Sequence, residues 1–176
     1  MRKVKIIALI FMLLLNMVCT TGCWSYREIE QMAIIGGIAI EKGSKENSYK
    51  VTVETLNLST ESKDNSASSE LYSIEADTIF EAVRNLVQVT GKRLYWSHTK
   101  VIVISDGVAA QGAIPVLDWF KRDSEPRSDV WIVVSKEATA SDIFKNRDEK
   151  RGIISFRLND IMTGNKVVHR YPEITL

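Results

Sequence analysis

The chain has 176 residues, of which 45% are apolar and 26% charged, and its formal net charge is +1. That length suits one domain large enough to bury a real core. The near-neutral balance leaves no basic stripe for a general nucleic-acid binder. With cysteine only at positions 19 and 23, the rest of the chain has no disulfide framework and no thiolate metal site.

The N-terminus sets the organisation. Arg2, Lys3 and Lys5 form a basic head, and Ile6 to Leu15 an unbroken apolar run that Met17 to Cys19 extend past Asn16. Thr20, Thr21, Gly22 and Cys23 follow. A positive head, a short apolar core and small residues at the end predict a secretory signal peptide over residues 1–22. The run is shorter than the roughly 20 apolar residues of a comfortable transmembrane helix. A cysteine directly behind the small residues looks like a bacterial lipobox, with Thr20 where such sites usually carry Leu. In that reading Cys23 is the lipidation site and first residue of the mature chain, with a diacylglyceryl group on its thiol. Two or more acyl chains hold firmly where one binds only marginally. An ordinary cleaved signal with an incidental cysteine, or an uncleaved anchor, are the alternatives. Loss of the three cations leaves the mature part near −2.

Trp24 and Tyr26 follow almost without a linker, so the domain is expected close to the bilayer; their rings suit either the headgroup level or packing on the domain. Residues 32–42 read as a buried strand with a bulge or close backbone approach at Gly36–Gly37. A polar turn at Gly43 to Asn47 leads to alternation at Tyr49, Val51, Val53 and Thr55, which predicts a half-buried strand in an antiparallel hairpin. Residues 59–70 are Ser-rich and read as a mobile loop, followed by a short strand from Leu71 to Glu75. Thr78 and Glu81 resemble a capping box opening a helix, with Ile79, Phe80, Val83, Leu86 and Val87 towards the core and Gly91 as its stop. The run after Lys100, to Ser105, is a short apolar strand and Asp106–Gly107 a turn. A helix is expected from Val108 to Lys121 with Ile114, Leu117 and Phe120 buried, starting late or kinked at Pro115. Asp129 to Ser135 is another strand and Thr139 to Asn146 a short helix; from Asn159 the pattern is irregular. The order predicts an α+β fold, a mixed β-sheet with an N-terminal hairpin and helices packed on it.

Chemistry is sparse. His98 and His169 have no second ligand at helical or strand spacing, so no metal site is expected. Ser97 beside His98 in sequence is not triad geometry. There is no nucleophile elbow, phosphate loop or dinucleotide fingerprint. Asp118, Asp123 and Glu125 beside Lys121, Arg122 and Arg127 read as a solvated face. No catalytic residue and no cofactor site is assigned.

Two stretches carry a resemblance. The first is Gly22-Cys23-Trp24-Ser25-Tyr26-Arg27-Glu28, continuing to the strand ending near Glu41. The second runs from Arg93 through Trp96-Ser97-His98-Thr99-Lys100 to Gly112, and on through residues 117–127. Together they resemble the Ger(x)C family, the C subunit of spore nutrient-germinant receptors. The family usually has Asp where Ser25 stands, and Pro126 falls inside its Arg-Asp…Arg stretch. The resemblance implies a non-enzymatic lipoprotein on the outer leaflet of the spore inner membrane, tied to lipid through Cys23. It also implies a multispanning A subunit and a transporter-like B subunit as partners. Trp24, Arg27 and Glu28 are then expected near the membrane, and residues 93–100 as a structural signature. Residues 23–160 correspond to the family's N-terminal domain, and 161–176 to the start of a missing following region in an apparently truncated chain. Rival readings are a lipid-anchored solute-binding protein, an envelope hydrolase using Ser97 or His98, and a nonfunctional remnant.

Overall fold

A computed structural model describes residues 2–19, 28–57, 68–136, 139–145 and 152–168. Arg2–Cys19 form helix α1, whose apolar side chains from Val4 to Leu15 are exposed. Among the described residues, no helix is long and apolar enough to cross a membrane.

A 3-10 turn at Ile29–Gln31 leads into β1, Met32–Lys42, which pairs antiparallel with β2, Tyr49–Asn57. The expected bulge is there, between Ile35 and Gly37. A bulge adds one residue to one strand and so switches which positions face the core. Accordingly Ala33 and Ile35 face one core before it, and Ile38 and Ile40 face the same core after it. β3, Ser68–Ala76, pairs antiparallel with β2 and begins earlier than the sequence suggested, inside the stretch read as a loop; residues 58–67 lie outside the described set.

Helix α2, Ile79–Thr90, follows. The amide of Glu81 donates to Thr78 Oγ1 at 3.1 Å, and Gly91 closes the helix at φ 65°, a left-handed conformation that favours glycine. Ile79, Ala82, Val83 and Leu86 are buried, but Phe80 and Val87 are exposed, against expectation. The helix lies mainly over the edge strand β3 and less over β2, which covers a narrower stripe of it. Short β4, Arg93–Tyr95, pairs parallel with the start of β1, and β5, Val101–Ser105, pairs parallel with its later half. The strand order is β3-β2-β1-β5-β6, with β6 at Trp131–Ser135 and β4 beside β1.

The helix expected over 108–121 is two pieces. Asp106–Gly107, read as a turn, opens α3, Asp106–Ala109, and α4 spans Ile114–Arg122. Gly112, at φ 103°, interrupts them. Pro115 sits in the first turn of α4, where its missing N–H costs nothing. Val116 and Phe120 are buried and Ile114 is exposed, the reverse of its expected role.

On the other face lie α5, Asp142–Lys145, and α6, Ile154–Val168. The sequence had offered an irregular stretch from Asn159; it is helical to Val168. This layer explains a second correction. β2 was expected to be half-buried, with Thr52 and Glu54 facing water; both are buried. The core is therefore double. Ile38, Ile40, Val51, Val53, Ile102 and Ile104 meet α2, α3 and α4, while Ala39, Val101, Val103 and Trp131 meet Phe144 of α5 and Ile154 of α6. The fold is α+β, with a mixed six-stranded sheet between helices.

Candidate functional site

The two stretches that carry the motifs, far apart in sequence, meet at the N-terminal end of β1. Cys23 and its neighbours through Arg27 lie outside the described residues. From Glu28 the chain is defined: the 3-10 turn is closed by the Gln31 amide on the Glu28 carbonyl, and Met32 enters β1 directly beside Arg93 of β4. Leu94 and Trp96 are buried while Arg93 reaches outward, as alternation along a strand requires.

Residues 96–100 bridge β4 and β5. The Thr99 amide closes a turn on the Trp96 carbonyl, and the Lys100 amide donates at 2.8 Å to the carbonyl of Gly36 at the bulge. The Lys100 carbonyl in turn accepts from the Trp131 amide at 3.0 Å. This stretch thus ties three strands together where the ladder of β1 is interrupted. Its side chains hold the 117–127 segment. Trp96 meets Trp119 edge-on with ring centroids 5.1 Å apart, and Trp119 meets Phe120 at 4.8 Å. Such tilted pairs add stability beyond their buried area. Arg93 pairs with Glu125, Ser97 Oγ donates to the Glu125 carbonyl at 3.0 Å, and Asp123 accepts from the Glu125 amide at 2.9 Å.

This arrangement bears on the catalytic rival. The Ser97 hydroxyl is directed at a backbone carbonyl, and His98 is exposed with its ring 5.7 Å from that of Tyr95. No nucleophile and base are brought together there. His169 lies outside the described residues. Among the described residues no group of three or more His, Cys, Asp or Glu side chains could hold a metal ion. The charged face read as solvated carries exposed ion pairs, Arg122 with Asp118 at 2.8 Å and Arg127 with Asp129 at 2.8 Å. The hydrogen bonds from Arg127 hold the Asp129 carboxyl below the usual carboxylate range.

Two open cavities lie on this domain, the first between α2 and α4 beside this junction and the second at the opposite end of the sheet. One, about 400 Å³, is lined by Phe80, Pro115, Trp119, Asp118 and Arg122. The other, about 550 Å³, lies where β1, β5 and β6 end and is lined by Lys42, Ser44, Lys50, Ser105 and Lys136.

Two side chains that hold the second layer escaped the sequence reading. Glu54 is fully buried and accepts from the amides of Ile154 and Ser155, at 3.1 and 2.8 Å, and from Ser69 Oγ at 2.8 Å. It satisfies two orphan donors at the start of α6 and sets negative charge at the positive end of the helix. Glu41, also buried, accepts from the amide and hydroxyl of Ser141 and pairs with Lys50 at 2.7 Å. An acidic residue amid β-formers in an interior strand was the available signal.

What these observations define is an α+β domain whose stretches 93–100 and 117–127 serve packing, and whose first strand starts nine residues behind a cysteine that follows an apolar helix. It belongs to the spore germination protein N-terminal domain family, whose model matches residues 25–176. Similar curated proteins include spore germination protein KC of Bacillus subtilis (strain 168), 31% identical over 76% of this chain and 35% of that protein. Spore germination protein B3 of the same organism is 30% identical over 90% of this chain and 42% of its own length. Spore germination protein A3 is 25% identical over 89% and 43%, respectively. The chain thus spans about two-fifths of the length of the curated relatives it matches. No solved structure matches it.

Proposed function

We propose that this protein is a non-enzymatic, membrane-anchored lipoprotein component of a spore germinant receptor, needed for nutrient-triggered germination. Residues 1–22 act as the signal peptide, and Cys23 carries the lipid on the outer leaflet of the spore inner membrane. The domain from residue 23 to about 160 then meets the multispanning A subunit and the transporter-like B subunit. The observation that carries this reading is the family match over residues 25–176 directly behind an apolar helix and Cys23. The use of the signature segment for packing rather than for a reactive pair favours an assembly role over hydrolysis. Tethering raises the effective concentration of partners confined to the same membrane, so weak contacts suffice to assemble a complex.

The test compares spores of the intact strain, a deletion strain and a Cys23→Ala strain. Release of the core calcium chelate is followed after nutrient addition, and the protein is partitioned between membrane and soluble fractions. Deletion should abolish the response to one nutrient class. Cys23→Ala should move the protein out of the membrane fraction with a similar defect. Normal germination of the deletion strain would end the receptor reading, and unchanged membrane partition of Cys23→Ala would end the lipid-anchor reading.

A further inference from the structure

The reading of Cys23 as an anchor limits which part of the domain can touch lipid. Four residues lie between Cys23 and Glu28, the first described residue of the domain, which makes five Cα–Cα steps. Fully extended, they reach about 18 Å. The N-terminal end of β1 is therefore held near the bilayer. Eleven residues of β1 at ~3.3 Å each put its other end about 35 Å away.

Several elements come together at the tethered end. β1 and β4 run parallel, so Arg93 lies beside Met32. α2 runs antiparallel to them, which brings its last turn and the Gly91 cap to this same end. Three apolar side chains are exposed here, Ile29 at 56%, Val89 at 47% and Val87 at 40%. Lys92 and Arg93 flank them, both exposed, with Arg93 paired to Glu125; Glu28 is the exposed carboxylate of the incoming turn. Exposed apolar side chains beside cations suit an interface that inserts shallowly among acyl chains and meets anionic headgroups. Phe80 and Ile114 are exposed too, but they belong to the start of α2 and of α4, at the far end.

We infer that the corner formed by Ile29, the last turn of α2 and Lys92–Arg93 is the surface that this domain lays on the membrane. It rests on the Cys23 reading. The strands then stand away from the bilayer, and the cavity beside Lys42, Ser105 and Lys136 opens away from the lipid.

The sequence permits a direct test. Beyond Cys23 there is no cysteine, so an acylated chain offers no competing thiol. Ile29→Cys, Val89→Cys and, at the far turn, Glu46→Cys are each made in the full chain; all three positions are exposed. Each is labelled with a polarity-sensitive fluorophore in vesicles of phosphatidylglycerol and phosphatidylcholine carrying brominated acyl chains. Emission at positions 29 and 89 should shift to the blue and be lost to bromine quenching, while position 46 keeps its aqueous spectrum. Quenching at 46 as strong as at 89 means the domain lies on its side and overturns the proposal. A blue shift at 89 without bromine quenching means a protein surface covers the corner, which also overturns it. The parent chain separates the two readings. If it fails to float with vesicles and labels at Cys23, the anchor reading falls and the orientation with it. If it floats unlabelled while 29 and 89 stay aqueous, only the orientation falls.

Discussion

The two faces of the sheet are held by different chemistry. Towards α2 and α4 the contact is apolar throughout: Leu86, Val116 and Phe120 press on Ile38, Val53 and Ile102, and Trp96 and Trp119 close the end. Towards α5 and α6 the apolar contact is smaller, and two buried glutamates fasten the helical layer through its own backbone amides. α6 also approaches β1 closely. A Cβ on Gly37 would lie 2.8 Å from Ser155 Cβ and 2.9 Å from Phe144 Cζ. The first face depends on volume and should yield gradually to truncation. The second depends on a few directional bonds and one narrow gap, so single changes should release it as a unit.

The largest expected effect is on the apolar face. Phe120→Ala removes a buried ring that meets both Trp96 and Trp119, and should cost about 4 kcal/mol. Denaturant unfolding measures it, and a loss of near-ultraviolet circular dichroism reports the disturbed tryptophans. A change confined to the spectrum, with stability intact, would remove this face as the main source of stability. On the other face, Glu54→Ala strands two buried amides and the Ser69 hydroxyl, at a cost of roughly 3 kcal/mol. Its signature is local: hydrogen exchange should speed along α6 while α2 and α4 keep their protection. Uniform acceleration throughout the domain would show that the two faces unfold together and that the contrast drawn between them has no energetic content.

The same contrast explains what the sequence made legible. Paired glycines in an apolar run announced the bulge, Thr78 and Glu81 announced the start of α2, and the apolar run of β5 stood out because both of its faces are covered. α6 gave no such signal. Its inward side chains, Ile154, Leu158 and Met162, make only a thin stripe, and Asn159, Asp160 and Gly164 are weak helix formers. Its position depends on Glu54, a hundred residues earlier, and a carboxylate in a strand reads as a solvent-facing residue until the covering helix is known. The motif surface was half legible. Residues 93–100 and 117–127 could each be picked out, but their junction through Arg93, Ser97 and Glu125 is a tertiary fact that no local period encodes. The reading of Cys23 as a lipid site rests on its sequence neighbours alone.

A finer probe of the close approach is Gly37→Ala. The added methyl must displace Ser155 or the Phe144 ring, and overpacking of this kind costs about 2 kcal/mol. If the faces differ as argued, the loss should again appear first as faster exchange in α6, and Gly37→Ala combined with Glu54→Ala should cost less than the sum of the two, because a released helix no longer feels the methyl. Strict additivity would mean that α6 stays docked in both variants.

The smallest effect belongs to neither face but to the exposed carboxylates around the sheet. The Ser44 amide and hydroxyl hold Glu75 below the usual carboxylate range, and Arg127 does the same for Asp129. A carboxylate lowered in the folded state contributes stability that is fully present above its unfolded pKa and is lost as pH falls through the folded one. The unfolding midpoint should therefore be flat from neutrality down to about pH 5 and decline below it. The two groups separate by salt. The partner of Asp129 is a cation, so added salt screens part of its contribution, whereas Glu75 is held chiefly by the uncharged Ser44 donors and only the smaller pull of Lys50 and Lys45 is screened. Glu75→Gln should flatten the acid limb at low and high salt alike, and Asp129→Asn mainly at low salt. An acid limb that neither substitution changes, at low or at high salt, would show that Glu75 and Asp129 do not set the decline and would end the contrast between them.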